Sequence, residues 1–289
     1  MNPVSGRGAT RRVVAEVCER LQQRGYAVRV DPTAGPGDAV RIVERCCDGG
    51  HRAVVVVGGD GTVNDAVGGL TGGGVPILIV PSGTENILAK CFGTKLNAAW
   101  LVDTLEGGRT TRLDVGLMNG RRFLMVAGAG FDAECVRRVT LARRGRITYA
   151  DYFWPIWRAF WSYRHPHLTV EADGERIFDG RGLAIVGNVR RYAWDLRLAA
   201  RAVADDGRLD VCVFACEGQG KLLWQAAKVA ARRHVGSRGV TYRQARQIRI
   251  ASKEPVGVEV DGDWAGMLPA EFSVAERKAE FCVSPYWAW

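Results

Sequence analysis

The chain has 289 residues, 47% of them hydrophobic and 25% charged, a balance that builds folded domains with real cores and excludes a disordered chain. Its net charge of +9 suits polyanions or an anionic membrane surface, but the arginines are dispersed and no recognition motif accompanies them, so no nucleic acid is expected as a partner. No apolar run is long enough to span a bilayer, no signal peptide opens the sequence, and the eight cysteines show no C-x-x-C spacing, which points to a reducing cytoplasm, peripheral membrane contact at most, and no zinc site.

The first residues, Met1 to Gly8, read as a polar, glycine-containing loop. A helix follows with Val13, Val14, Val17 and Leu21 on one face, ended by Gly25. Tyr26–Val30 reads as a strand, and Asp38 caps a helix whose buried face is Ile42, Val43, Cys46 and Cys47. The valine run Val54–Val57 predicts a strand buried on both faces. It breaks into Gly58-Gly59-Asp60-Gly61-Thr62, after which Val63, Ala66, Val67 and Leu70 recur at helical spacing. A strand, glycine turn and helix in that order bring backbone N–H groups close to an anion at a positive helix end. Glycines alone fit an ordinary tight turn. Asp60 and Thr62 favour phosphate, since a carboxylate beside a phosphate calls for a divalent metal or a specific donor between them. Val75–Val80 is a second buried strand, ending in Pro81-Ser82-Gly83-Thr84-Glu85-Asn86, and two helices follow, the later one carrying Ala98, Leu101, Val102 and Leu105. Strands alternating with helices mean a parallel sheet covered on both sides.

Near Thr110 the pattern changes. Leu113, Val115 and Leu117 alternate with Asp114 and Gly116, the period of a half-exposed strand. Short strands are predicted at Phe123–Ala127, Leu168–Ala172, Leu183–Val186, Leu209–Phe214, Gln247–Ile250 and Val256–Val260, with a hairpin turn at Asp173-Gly174. One helix interrupts them near Gly220–Arg233, with Leu222, Leu223, Ala226, Ala227 and Ala230 inward. The expected fold is therefore α/β: an N-terminal parallel-sheet domain over residues 1–117, onto which about 277–289 pack back, and a mainly antiparallel β domain over 118–276.

Between Tyr149 and Tyr163 the chain is densely aromatic. Trp154, Trp157 and Trp161 share one helical face with Phe153 and Phe160 beside it, and Arg143, Arg144 and Arg146 stand just upstream. Such a face is either core packing or an apolar wall at a membrane interface, where Trp and Tyr are favoured.

Taken in order, Asn2-Pro-x-Ser5-Gly6, Gly58-Gly-Asp-Gly-Thr62, Pro81-Ser-Gly-Thr84 and Asp261-Gly262-Asp263 resemble the motifs of the diacylglycerol kinase catalytic-domain family, above all its bacterial soluble lipid kinases, with sphingosine and ceramide kinases as relatives. The likeness covers nearly the whole chain. It implies a nucleotide-binding domain like that of NAD kinases and diacylglycerol kinases, and a nucleotide lying in a cleft between the domains. It implies ATP phosphates on Gly58, Gly59, Asp60, Gly61 and Thr62, with Asn2, Ser5, Gly6, Gly83 and Thr84 helping to hold the nucleotide. It points to Asp261 as general base, to magnesium (Mg²⁺) as cofactor with Asp60 and Asp114 in its network and Asp263 nearby, and to a structural metal held by Asp206 with the carbonyls of Val203 and Arg208. Read without the resemblance, Asp205-Asp206-Gly207 and Asp261-Gly262 are plain turns.

Three departures stand out. Asn86 is followed by Ile87 where the family has Asp, the family's Asp-Gly-Glu is Asp-Gly-Asp here, and the strand that precedes the Asn-Pro motif in family members is absent before Met1, which a start codon set too far downstream would explain. The expected activity is ATP-dependent transfer of the γ-phosphate to the hydroxyl of a diacylglycerol-like or sphingoid lipid. A lipid substrate, a membrane surface and a homodimer are its expected partners, and a cytoplasmic enzyme of lipid metabolism its expected setting. An NAD kinase-like enzyme and a non-catalytic nucleotide- or lipid-binding protein are the alternatives.

Overall fold

The computed structural model describes residue 1 and residues 8–35, 37–71, 74–142 and 149–287, the side chains of 149–152 excepted. In chain order the elements are α1 (Gly8–Gln23), α2 (Asp38–Asp48), β1 (Val54–Gly58), α3 (Asp60–Gly68), β2 (Ile77–Pro81), α4 (Ile87–Cys91), α5 (Ala98–Gly107) and β3 (Thr110–Leu113). There follow β4 (Gly116–Met118), β5 (Arg121–Phe123), β6 (Val126–Ala129), α6 (Phe131–Ala142), α7 (Tyr149–Ser162), β7 (His167–Ala172) and β8 (Glu175–Gly187). The last are β9 (Leu209–Ala215), α8 (Gln219–Ala230), β10 (Val240–Ala245), β11 (Gln247–Ala251), β12 (Gly257–Val260), β13 (Asp263–Met267), β14 (Ala270–Val274) and β15 (Ala279–Cys282). The chain divides into two compact units, Met1–Leu113 with Lys278–Trp289, and Asp114–Arg277.

In the first unit β1, β2 and β15 run parallel and β3 closes the sheet antiparallel to β15, in the order β1-β2-β15-β3. The core gathers Val17, Leu21, Val57, Leu78, Leu101 and Val102 from helix and sheet faces. Phe92 stacks on Phe281 of β15 with ring centroids 4.8 Å apart, which anchors the returning strand. Two expectations fail here. Tyr26–Val30 joins no ladder among the described residues; it lines an apolar cavity of about 260 Å³ together with Val14, Ile42 and Val55 among others, and just beyond it the Met1 amino group donates to the Asp31 carbonyl at 2.7 Å while the Thr33 amide donates to the Met1 carbonyl at 2.9 Å. Val54 and Val55, at that end of the sheet, are accordingly half-buried rather than sealed on both faces. Gly37, not Asp38, takes the N-cap position of α2, and the Asp38 carboxylate instead accepts from the amides of Ala34 (2.7 Å) and Gly35 (3.0 Å) in the turn before it.

The second unit is built on an antiparallel sheet in the order β13-β12-β6-β8-β7-β11-β14-β4-β5, with β9 and β10 branching from β8. Long β8 makes this possible, pairing with β7 over its first half and with β6 and β9 over its second. Phe123 and Phe272 meet edge to face at 6.4 Å in its core. Asp173 and Gly174, both at positive φ (48° and 82°), form the hairpin turn between β7 and β8. The mostly parallel first sheet and antiparallel second sheet are the α/β arrangement that the change of period near Thr110 predicts.

Two predicted strands are each split in two. Leu113–Leu117 breaks at Asp114, whose amide leaves the sheet to donate to the Ala204 carbonyl at 2.7 Å. Phe123–Ala127 breaks at Leu124-Met125, whose amides donate to a side chain described below. Helix α8 is also rotated from expectation: Leu222, Gln225 and Val229 are buried, while Leu223 is 62% exposed with Trp224 beside it at 66%. Gln225 faces inward because its amide donates to the carbonyls of Ala215 and Gly239, both at 3.0 Å.

Candidate active site

The glycine turn of the first unit is shaped by close backbone approach. A Cβ on Gly58 would stand 2.5 Å from the Thr62 Cβ, and one on Gly83 would stand 2.8 Å from the Gly59 Cα. The turn after β1 and the turn after β2 thus lie back to back with room for hydrogen only, joined by the Ser82 amide donating to the Gly58 carbonyl at 3.0 Å. Gly59 caps α3 in extended conformation, so the first helical amides open beside this paired turn, and Gly83 and Thr84 are exposed. Asn86, at φ 50°, locks the second turn by accepting from the Gly83 amide and donating to the Gly83 carbonyl, both at 2.8 Å.

Asp60, expected at the nucleotide phosphates and in the metal network, is tied to the backbone after the second turn. Its Oδ2 accepts from the Ile87 amide at 2.9 Å and its Oδ1 from the Leu88 amide at 3.1 Å, so both oxygens cap the first turn of α4. Burial raises its pKa, and these two amides pull against the rise. The position where the family has Asp is therefore filled by a residue whose backbone serves Asp60. Asp60→Ala should lower stability by about 1–2 kcal/mol through the loss of this cap, read as a drop in the urea midpoint at constant slope.

In the second unit Asp261 follows β12 at φ 49°. Its Oδ2 accepts from the Leu124 amide at 2.7 Å, and its Oδ1 from those of Met125 (2.9 Å) and Val126 (3.1 Å). Leu124 and Met125 are the residues at which the predicted Phe123–Ala127 strand breaks. The Asp261 amide donates to the Val126 carbonyl at 2.8 Å. Asp261 is thus a rigidly held carboxylate whose oxygens both face backbone donors.

The remaining predicted metal residues part company. Asp114 is fully buried and its Oδ2 accepts from the Gly207 amide at 2.6 Å. Asp206 Oδ1 accepts from the Arg208 amide at 3.0 Å, and Gln244 Nε2 donates to Asp206 (3.4 Å) and to the buried Asp210 (3.2 Å). Burial first, then the charge of Asp114, raises the pKa of Asp206; burial and the charge of Asp206 do the same to Asp210. Asp263, by contrast, is 77% exposed at its side chain and pairs with Arg121 at 3.7 Å. Among the described residues no three His, Cys, Asp or Glu side chains converge on a metal position. Asn2, Ser5 and Gly6, predicted to help hold the nucleotide, lie outside the described residues, as do Arg143, Arg144 and Arg146.

Comparison with known proteins sets this geometry in a family. The profile of the diacylglycerol kinase catalytic domain matches residues 1–118, and that of the YegS C-terminal NAD kinase beta sandwich-like domain matches residues 125–280. The chain belongs to the diacylglycerol kinase catalytic-domain family. It is 26% identical over 278 residues to a diacylglycerol kinase of Bacillus subtilis (strain 168), covering 94% of this chain and 90% of that one. It is also 26% identical over 284 residues to a diacylglycerol kinase of Staphylococcus haemolyticus (strain JCSC1435), covering 97% and 86%. A solved diacylglycerol kinase structure from Bacillus anthracis str. Sterne shares the fold, with a TM-score of 0.72 at 18% identity, covering 98% of this chain and 95% of the other. The family is one of lipid kinases.

Within this diacylglycerol kinase family chain, several buried polar residues escape sequence reasoning. Asn188 donates through Nδ2 to the carbonyls of Asp114 (2.6 Å) and Leu124 (2.8 Å), and its amide donates to the Met125 carbonyl at 2.8 Å, so it ties Asp114 to the segment that holds Asp261. Glu259, Asp132 and Tyr192 form a second buried group next to the same turn. For Glu259 and Asp132 the only signal is a polar side chain on a strand or helix face otherwise occupied by apolar residues; Asn188 and Tyr192 lie in the irregular segment after β8, where periodicity gives no signal.

The aromatic face of α7 is turned to solvent, which overturns the core reading. Phe153, Trp154, Trp157 and Trp161 are 59%, 65%, 46% and 60% exposed, and Ala159 on the opposite side is sealed. The rings pack on each other instead: Phe153 stacks on Trp157 at 6.2 Å and Trp157 meets Trp161 edge-on at 5.7 Å. Gln219 donates to the carbonyls of Phe160, Trp161 and Tyr163 and so seats the start of α8, with its exposed Leu223 and Trp224, against the end of α7. No helix among the described residues is long and apolar enough to cross a membrane.

Proposed function

We propose that this chain is an ATP-dependent lipid kinase that transfers the γ-phosphate to the hydroxyl of a diacylglycerol-like or sphingoid lipid at a membrane surface. The observation that carries the reading is the paired glycine turn at the head of α3, where Gly58, Gly59 and Gly83 leave backbone amides unshielded by side chains. Phosphoryl transfer asks mainly for positioning and charge neutralisation, and such a cradle supplies both for the nucleotide phosphates. Asp261 is offered as the carboxylate near the acceptor hydroxyl, held in place by its three amide donors. Mg²⁺ would neutralise charge on the nucleotide phosphates. Asp206 is the residue offered to a second, structural divalent cation, because the charge of Asp114 bears on Asp206 and that of Asp206 on Asp210, a repulsion that a hard cation relieves.

The exposed aromatic face of α7 supports contact with lipid. Four adjacent rings stand in water at a cost that an interfacial environment removes, and the positive net charge favours an anionic bilayer.

The test is transfer of labelled γ-phosphate from Mg²⁺·ATP, offered to a total lipid extract and, in a parallel arm, to NAD. A labelled lipid that disappears on chelation of the metal is the expected result. Label in NAD alone would move the assignment to the NAD kinase-like reading, and label in neither with ATP bound would leave a binding protein.

A further inference from the structure

Two buried carboxyl groups beside the Asp261 turn have no place in the chemistry above. Glu259 is sealed from solvent in β12, paired with Gly128 of β6. Asp132 stands in the first turn of α6. One oxygen of each has a donor: the Tyr192 hydroxyl donates to Asp132 Oδ1 at 2.7 Å, and the Gly262 amide to Glu259 Oε2 at 2.8 Å. The other oxygens, Asp132 Oδ2 and Glu259 Oε1, are buried and accept from no donor among the described residues. Both lie over Gly128, where a Cβ would stand 2.5 Å from the first and 3.0 Å from the second. The missing side chain at Gly128 is the space in which the two carboxyls meet.

Two bare carboxylates do not face each other in a dry site, whereas a single proton between them converts repulsion into a short hydrogen bond. Their surroundings supply no alternative. Tyr192 and Cys135 face the pair and Asp261 adds a like charge, while Arg137 and Arg138, on the same helix as Asp132, bond Glu134 instead. We propose that Asp132 and Glu259 share one proton and act as a positioning pair, which holds the Asp261-Gly262 turn in its left-handed conformation through the Gly262 amide. Asp261 (φ 49°) needs such support, since the left-handed region is unfavourable for aspartate, whereas Gly262 (φ 84°) enters it without a steric penalty. The consequence for turnover rests on the lipid-kinase reading; the proton itself does not.

Burial above all, and then the partner carboxyl, raises Glu259, and burial raises Asp132. The folded chain therefore keeps a proton that the unfolded chain has released. The stabilisation is complete below the unfolded carboxylate range and is lost as pH rises through the raised folded value. Over that window the folding equilibrium constant should fall about tenfold per pH unit for one proton.

The experiment is a series of denaturation curves from mildly acid to alkaline pH, with hydrogen exchange read at the Gly262 amide. Wild type is expected to lose stability and Gly262 protection as pH rises. Glu259→Gln keeps an acceptor for Gly262 and places an amide donor against Asp132 Oδ2, so it should fold and show neither loss. Asp132→Asn should behave alike, donating to Glu259. A Glu259→Gln protein with the wild-type pH slope, or a wild type with none, would overturn the shared proton. Where wild type phosphorylates lipid, the alkaline limb of kcat should shift in Glu259→Gln while the KM for ATP holds; an unmoved limb overturns the positioning role. If wild type labels no lipid, the kinase reading fails while the denaturation series still decides the pair.

Discussion

Asp261→Asn should destabilise the second unit by about 1.5–3 kcal/mol, as well as abolish phosphoryl transfer. A carboxylate offers acceptors on both oxygens, and here all three amides use them. An asparagine can turn its oxygen toward Met125 and Val126, but its NH₂ group then points at the Leu124 amide, donor against donor. Turned the other way it leaves two amides unmet. The midpoint of thermal unfolding should fall by about 2–4 °C per kcal/mol. Activity must therefore be compared well below the midpoint, per folded molecule. Loss of transfer with ATP binding retained is the result expected of a carboxylate acting at the acceptor hydroxyl. Full transfer by the folded variant would leave Asp261 a structural residue only, one that organises a turn from which another group acts.

The fold and the outline of the site were legible where local pattern and tertiary role agree. Val54–Thr62 announces strand, glycine turn and helix within one short stretch, and the change from continuous to alternating apolar residues near Thr110 marks the passage from one sheet to the other. What stayed hidden depends on partners far along the chain. Nothing local to Asp60 says that the amides of Ile87 and Leu88 will meet its oxygens. The strand containing Leu124 and Met125 looks continuous because nothing local says that Asp261 will claim their amides. Tyr26–Val30 has the composition of a strand, but a ladder needs a neighbour, and composition says nothing of whether one arrives; here the stretch lines a cavity instead. Helix α8 misleads for a compositional reason: its alanines tolerate either face, so Gln225, with two carbonyls to satisfy, decides the rotation. In α7 periodicity establishes that the aromatic rings share a face, but says nothing of what that face meets.

That last point makes Trp157→Ala/Trp161→Ala the most informative surface variant. The two indoles are 46% and 60% exposed and lean on each other and on Phe153 and Phe160 more than on the core. Truncating them opens no internal cavity, so the change in folding stability should stay within about 1 kcal/mol. Against a bilayer the accounting is different, because the exposed half of each ring is what an interface would bury. At about 25 cal/mol per Å² of apolar surface, each ring should contribute about 1 kcal/mol or more to partitioning, and the pair at least about tenfold in affinity. Sedimentation with anionic phosphatidylglycerol vesicles should show that loss, while neutral phosphatidylcholine vesicles bind both proteins weakly, since the chain's net charge of +9 would no longer assist. Phosphorylation of a lipid presented in vesicles should fall in parallel, and phosphorylation of a water-soluble short-chain analogue should not. If vesicle binding is unchanged and the midpoint of unfolding drops instead, the aromatic face serves the protein's own packing and the membrane contact must be sought elsewhere on the surface.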